Sequence, residues 1–364
     1  MRLQGNIVMH DTDRIDLRGP LVRLLAVIVI YKMQPLESST LQTLCATAAN
    51  VGSSVLDLKI LIWDNTPGGQ EVGPLPYGVL YERAPNNPGL PRAYNQALEL
   101  AMAEGYEWLL TLDQDSFLPA NFLTRIASLA GQLGPMKTIG AIVPQVIADG
   151  RIISPFQFLF SAVPSWFSKG FIGISRRAAY AANSGAVLRV AALLEIGGYD
   201  PMFPLDLSDT NLFHRLHSSG KSVFIAGDLS MHHDFALLKK HSRMSIERYE
   251  ASLRDDCAFW DIYMGPIARF ERILRFAGRA CKDFMRSGEP AFRKRTLLEV
   301  KRRLLKPRQE RIVEWKAWAT QRSANNSKEA DPQHRALAAS SEQRSPLMKD
   351  DEFESFTKQV AKPL

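Results

Sequence analysis

Apolar positions along the chain fall into two alternating rhythms. LLAVIVIY (24–31) is a continuous β-rich apolar run, the pattern of a strand buried on both faces. Residues 37–49 carry apolar positions at helical spacing, and LDLKILIWDN (56–65) is a second apolar run that ends in polar residues. GVLYER (78–83) predicts a third strand. PRAYNQALELAMAEG (91–105) predicts a helix, with Pro91 at its start and Gly105 at its end. A strand EWLLTLD (107–113), a helix PANFLTRIASLAGQL (119–133) and a short strand IGAIVP (139–144) follow. Alternation at this pace implies crossover units, and so an α/β fold with a mostly parallel sheet flanked by helices. Ligands of such sheets bind beyond the carboxyl ends of the strands. Here those ends are polar: Tyr31, Asp64-Asn65, Asn86-Asn87 and Asp113-Gln114-Asp115.

The rhythm breaks over 145–180, which is irregular, rich in aromatics, proline and glycine, and predicts neither helix nor strand. It returns over 183–234 as strand (SGAVLRV), helix (AALLEIGG), loop (YDPMFPLDLS), helix (DTNLFHRLHSSG) and strand (KSVFIAG). From 240 to 318 the pattern is helical, amphipathic and basic, and beyond it polar segments such as NNSKEADPQH read as disorder. The organisation expected is a loose leader (1–20), an α/β domain (21–238), a basic helical extension (239–318) and a disordered tail (319–364).

Composition narrows the function classes. At 46% apolar and 23% charged the chain is a globular protein, not a disordered one. Cys45, Cys257 and Cys281 are odd in number, far apart and in no metal spacing, which points to reduced residues. The longest clean apolar run is eight residues, against roughly 20 for a membrane span. The N-terminus has acids early and no apolar core, unlike a secretory signal, so a cytoplasmic location is expected. Charge is uneven: residues 265–316 hold 16 Lys/Arg against 6 Asp/Glu, although the whole chain is only +7. Basic residues interleaved with Ile, Leu and Phe there suit either a helical subdomain with a solvated face or peripheral contact with an anionic membrane. No nucleic-acid recognition motif accompanies the charge, so no nucleic acid is expected as a partner.

The residues that could do chemistry stand at the strand ends. In LLTLDQDSF (109–117), Asp113 and Asp115 emerge directly after a buried strand, where Mg²⁺ or Mn²⁺ could be held together with diphosphate oxygens. Asp64 could accept from a nucleobase or a ribose hydroxyl, or could simply form a turn. In PNNPGLPRAYN (85–95), Gly89 would let backbone approach a ligand, Arg92 could meet phosphate and Asn95 would face the cleft. Asp206 and Asp209 open a helix, where a carboxylate can be a general base or an N-cap. His232-His233 offers a further cation ligand after a strand.

In this order the residues resemble the inverting glycosyltransferases of family 2, of GT-A fold, over about 22–236, with the rhamnosyltransferase-like and galactofuranosyltransferase-like branches nearest. The elements carrying the resemblance are Tyr31, Asp64, the Asn87–Gly89–Asn95 element, Asp113-Gln114-Asp115 and NSGAVLRVAALLEIGGYD (183–200) with the aspartate pair beyond it. The resemblance implies that Asp64 recognises the nucleoside, Asp113 holds ribose or metal, and Asp115 binds the cation with His233, or else His232. It also implies that Asp209 is the catalytic base and that Ser184 and Gly185 line the acceptor side near the donor sugar. Together these imply a metal-dependent transfer of a sugar from a dTDP- or UDP-sugar, rhamnose among the candidates, to a glycan or lipid-linked acceptor. The chain departs from that pattern at Lys32, where many members have Asn, and at Asn211 and Leu212, where an acid and an aromatic are usual. Two rivals remain: a nucleotidyltransferase, disfavoured by YKMQPLESS lacking a glycine-rich loop after strand one, and a non-catalytic domain of the same fold that binds a glycan or partner.

Overall fold

Successive residues of β1 (Val22–Ile30) enter opposite cores: Leu25, Val27 and Val29 on one side of the sheet, Leu24, Ala26, Ile28 and Ile30 on the other. A strand buried on both faces has no polar side, and this is why its sequence is an unbroken apolar run. The computed structural model describes residues 21–76, 78–159, 163–233, 245–285 and 290–328. The expected leader (1–20) and the tail from 329 onward lie outside the described residues.

The chain continues through α1 (Ser39–Ala48), β2 (Leu56–Asp64), β3 (Val79–Arg83), α2 (Leu90–Glu104), β4 (Trp108–Asp113), β5 (Ser116–Phe117), α3 (Phe122–Leu133) and β6 (Ile139–Ala148). The irregular segment then supplies β7 (Arg151–Ser154), β8 (Phe156–Leu159), β9 (Val163–Trp166), β10 (Ile172–Ile174) and β11 (Ala179–Tyr180). At two to four residues each, these strands are too short to carry a visible alternation. β12 (Ala186–Arg189), α4 (Val190–Glu195), α5 (Ser208–Ser218) and β13 (Ser222–His233) complete the α/β part.

The main sheet runs β10-β13-β6-β12-β4-β1-β2-β3, with β5 paired to β13 and β7 to β6. β3, β2, β1 and β4 are parallel, as are β6 and β13, while β12 lies antiparallel between β4 and β6. The sheet is therefore mostly parallel with helices on both faces, as the alternating pattern requires. α1 and α3 cover one face with Leu41, Leu44, Phe122 and Ile126. α2 covers the other through Ala93, Tyr94, Ala97 and Ala101, and ends at Gly105, whose φ of 74° lets the chain turn back into β4.

The basic segment forms α6 (Ile246–Tyr263), α7 (Pro266–Met285), α8 (Pro290–Leu305) and α9 (Arg308–Lys328). α9 thus continues past residue 318, where polar composition suggested an end to structure. The extension shares the α2-side core: Phe259, Trp260, Ala268 and Trp315 belong to one cluster with Phe203 and Phe213, and the Phe203 and Trp315 rings lie 5.0 Å apart. Buried Asp261 binds Arg303 at 2.9 Å and Arg311 at 2.7 Å, so part of the segment's positive charge is neutralised internally. No helix among the described residues is long and apolar enough to cross a membrane.

Candidate active site at the carboxyl edge of the sheet

β4 ends at Asp113, and the turn that follows is fixed from several directions. The Asp113 N–H donates to Ser184 Oγ at 3.2 Å, and Thr40 Oγ1 donates to the Asp113 carbonyl at 2.5 Å. Ser38, the N-cap of α1, donates to the Gln114 carbonyl at 2.7 Å, and Gln114 Oε1 accepts from the Tyr31 N–H at 2.7 Å. β5 then pairs antiparallel with the end of β13, setting Ser116 opposite His233 and Phe117 opposite His232. Strand alternation separates the two histidines: His232 is exposed, while His233 turns toward the acidic turn. Its Nδ1 lies 2.8 Å from Ser116 Oγ and 3.6 Å from Asp115 Oδ1, and Ser116 Oγ lies 2.6 Å from Ser184 Oγ.

Asp113, Asp115 and His233 therefore gather at one strand end. Burial raises the Asp113 carboxyl above its ordinary range; nearby Asp115 adds to the shift, while His233 and a 3.4 Å hydrogen bond from the Tyr94 hydroxyl oppose it. Among the described residues no three His, Cys, Asp or Glu side chains converge tightly enough to hold an ion by themselves. The oxygen-rich donor set nonetheless fits a hard divalent cation, which commonly takes one or two carboxylates and completes its shell with substrate phosphate and water.

Asp209 lies in the first turn of α5. Its Oδ1 accepts from the Thr210 N–H at 2.6 Å and from Thr210 Oγ1 at 3.3 Å. Burial is the main reason that its carboxyl is pushed up to about 6, with Asp113 and Asp206 raising it further and the Thr210 bonds opposing. The helix start is tied to β4 by a buried relay. Thr111 Oγ1 donates to the Asn183 carbonyl (2.6 Å), Asn183 Nδ2 to Ser208 Oγ (3.0 Å), and the Tyr199 hydroxyl to Asn183 Oδ1 (3.1 Å). The preceding residue, Leu207, has φ of 64°, a left-handed conformation costly for a branched side chain. Lys32 (φ 52°) and Asn87 (φ 43°) share that conformation at the ends of β1 and β3.

Several sequence-predicted residues have other work. Gly89 approaches protein rather than ligand: a Cβ there would lie 2.6 Å from the Pro204 carbonyl oxygen. The Asn95 amide does not face the cleft, because it donates to the Tyr199 carbonyl (2.9 Å) and accepts from the Tyr199 N–H (2.8 Å). Gly185 packs where a Cβ would meet Met231 Sδ at 2.3 Å. Asp64 is fully buried, accepting from the Tyr81 hydroxyl at 2.5 Å and the Thr66 N–H at 2.8 Å, the second being the turn contact. Tyr31 is 43% exposed, and Arg92 is exposed on the first turn of α2. Asn211 and Leu212 are fully buried, with Asn211 Nδ2 donating to the Tyr263 hydroxyl of α6 at 3.0 Å. Sequence reasoning missed Tyr94, Thr40 and Ser116. Tyr94 had a signal, its place on the buried stripe of α2, whereas Thr40 and Ser116 act through pairings that only the fold reveals.

No family model matches the chain, and no curated protein matches it. Solved structures similar to it include GalNAc-T7 with UDP, GalNAc and Mn²⁺, at a TM-score of 0.47 and 14% identity, covering 66% of this chain and 49% of that one. S. aureus TarS aligns at a TM-score of 0.43 and 12% identity, over 70% of this chain and 42% of that one. Its segment 1–349 aligns at 0.42 and 11%, over 87% and 92%. The chain thus spans about half the length of the first and 42% of the second.

Proposed function

We propose that this chain is a glycosyltransferase that moves a sugar from a nucleoside diphosphate to an acceptor hydroxyl by a single inverting displacement. The observation that carries the reading is the meeting of Asp115 and His233, 3.6 Å apart, beside Asp113, on the same carboxyl edge where Asp209 is held near pKa 6. A carboxyl raised toward neutrality at such an edge suits a general base. Family 2, with a dTDP- or UDP-sugar as donor, is the assignment that the sequence resemblance favours.

In this reading Asp209 accepts the proton of the acceptor hydroxyl as its oxygen attacks the anomeric carbon, and the bond from that carbon to the diphosphate breaks. Attack from the face opposite the leaving group inverts the centre. Asp113, Asp115 and His233 would hold Mg²⁺ or Mn²⁺, and Ser116 orients the imidazole through Nδ1. A bound cation would supply charge neutralisation to the departing diphosphate. Tyr31, Asn87 and Arg92 stand on the nucleotide side. Asp64 would reach the nucleoside only through lone pairs left by Tyr81 and Thr66. Gly89, Asn95 and Gly185 shape the site without facing the donor.

Thermal unfolding with UDP, dTDP and GDP, each with and without Mn²⁺, tests the reading. One diphosphate at about 100 times its Kd should stabilise by about 2.7 kcal/mol. The shift should need the metal and disappear in Asp115→Ala. If no nucleotide shifts the transition, a non-catalytic binding role takes its place.

A further inference from the structure

α5 carries the proposed base in its first turn, and the helical extension takes hold of the same stretch of chain. Asn211 and His214 stand three residues apart, on one face of α5. That face meets α6. Asn211 Nδ2 donates to the Tyr263 hydroxyl at 3.0 Å, and the His214 ring lies 5.0 Å from Tyr263 and 5.5 Å from Phe259. Before the helix, the Phe203 ring lies 5.0 Å from Trp315 of α9, and Arg248 of α6 reaches Asp206 at 3.5 Å. Trp315 is itself fixed, because its Nε1 donates to Asp255 Oδ1 at 3.1 Å. Contacts from two helices of the extension thus fall on residues 203–214, on both sides of Asp209 in sequence.

Two features give this hold more than a packing role. The first is Asn211, which is fully buried and whose Oδ1 has no hydrogen-bond partner among the described residues. The Tyr263 hydroxyl therefore orients the amide. Without it, a buried side chain two residues from Asp209 would lose its polar contact. The second is Leu207, whose left-handed φ of 64° persists only where surrounding contacts over-determine it. From the sheet side Asn183 donates to Ser208 at 3.0 Å, and from α2 the Leu90 N–H donates to the Pro204 carbonyl at 3.0 Å. The extension adds its grips at Phe203, Asp206 and Asn211. A general base works only within hydrogen-bond reach of the proton it takes, so a small drift of this turn costs chemistry more than folding.

We infer that the helical extension sets the position of the proposed base. Tyr263 is the positioning residue on α6, acting through Asn211, and Trp315 acts from α9 through Phe203. The consequence for the reaction rests on the glycosyl-transfer reading; the hold on Asp209 does not. Asp113, Asp115 and His233 belong to β4, β13 and the turn before β5. A fault in the extension should therefore slow turnover and spare donor binding.

The test compares two single-hydroxyl deletions in the full chain. Tyr263→Phe removes the bond to Asn211. Tyr249→Phe removes a bond of the same kind inside the extension, where the Tyr249 hydroxyl lies 2.6 Å from Thr296 Oγ1. One readout needs no transfer: each variant is combined with Asp209→Asn, and Tm is measured at pH 8. Tyr263→Phe and Asp209→Asn should be non-additive, because they act on one turn, whereas Tyr249→Phe and Asp209→Asn should add. The other readout is steady-state transfer. Tyr263→Phe should lower kcat at least about tenfold, with donor KM and the diphosphate thermal shift unchanged, while Tyr249→Phe stays within about twofold of wild type. Trp315→Phe keeps a ring at Phe203 but loses the Asp255 bond, and should lower kcat in the same way. Additive Tm changes for Tyr263→Phe, or equal kcat losses in the two tyrosine variants, would overturn the proposal. If the wild type neither transfers nor binds a diphosphate, the transfer reading falls alone, and the Tm cycle still decides whether the extension holds Asp209.

Discussion

Asp209 is held at about 6 against an ordinary value of 3.8, and the sign of that shift has two separate consequences. Since the folded chain favours the protonated form, the carboxyl's contribution to stability is full below about 3.8 and is lost as pH rises through about 6. Asp209→Asn should therefore raise stability at pH 8, by on the order of 1–3 kcal/mol, and change it little at pH 4, as calorimetry at the two pH values will show. The same substitution should lower transfer at least about 100-fold, the usual worth of a general base, with nucleoside diphosphate binding retained. Wild-type transfer should rise with pH through about 6, where the base ionises. A stabilised but inactive variant is the signature of a strained functional group, and a merely structural N-cap would give the reverse. Lys32 supplies a second residue-scale test. At φ 52° it occupies a conformation that Asn adopts far more readily, so Lys32→Asn should gain about 0.5–1 kcal/mol in chemical denaturation.

Elements hold these residues where they are, and the join between α2 and α5 is the most exacting. The Leu90 N–H donates to the Pro204 carbonyl at 3.0 Å, and Gly89 permits that approach with φ of 89°. Gly89→Ala should push the 204–207 segment off α2 and displace Asp209 with it. The expected cost is about 1–3 kcal/mol in stability and more than tenfold in transfer rate, with nucleotide binding kept. Gly68→Ala is the control: φ is 79° there but nothing lies within 4 Å of the new Cβ, so only backbone strain of about 1 kcal/mol should appear. This join also shows how far the sequence could be read. Apolar runs announced β1, β2 and β4, because strands buried on both faces cannot be polar, and the acids at their ends followed. Gly89, Asn95 and Gly185 were visible as unusual residues, but whether they touch ligand or protein depends on contacts with Pro204, Tyr199 and Met231, far away in sequence. Which histidine turns toward the acidic turn depends on the β5–β13 pairing, which two residues of β5 could not advertise. The β7–β11 strands were illegible for the same reason.

On the scale of the whole molecule, the puzzle is α7, which buries Ala268, Phe276 and Ala280 yet leaves other large apolar side chains open. Phe270 (58%), Leu274 (55%), Phe284 (69%) and Met285 (76%) of α7 are open to solvent, and α8 adds Leu297 (49%) and Leu298 (48%) among Arg293, Lys294 and Lys301. Arg293 sits 5.1 Å from the Phe284 ring, so the two helices present one mixed apolar and basic surface. Such a surface gains about 1.5–3 kcal/mol for each large apolar side chain it buries. A second copy and an anionic bilayer could each cover it, but charge separates them. Residues 265–316 carry 16 cations against 6 acids, and pairing two copies would bring those excesses together. An anionic membrane would instead gain about 1 kcal/mol per basic residue near its surface. The full chain should therefore co-sediment with vesicles containing anionic lipid and not with zwitterionic ones. Phe270→Glu with Leu274→Glu should reduce binding at least tenfold, and added salt should weaken the wild type. Arg279 lies on the other side of α7, its guanidinium 5.2 Å from the Tyr249 ring, so Arg279→Gln should leave vesicle binding nearly unchanged. If vesicles fail to bind while sedimentation velocity shows a dimer that Phe270→Glu dissolves, a second copy covers the stripe instead.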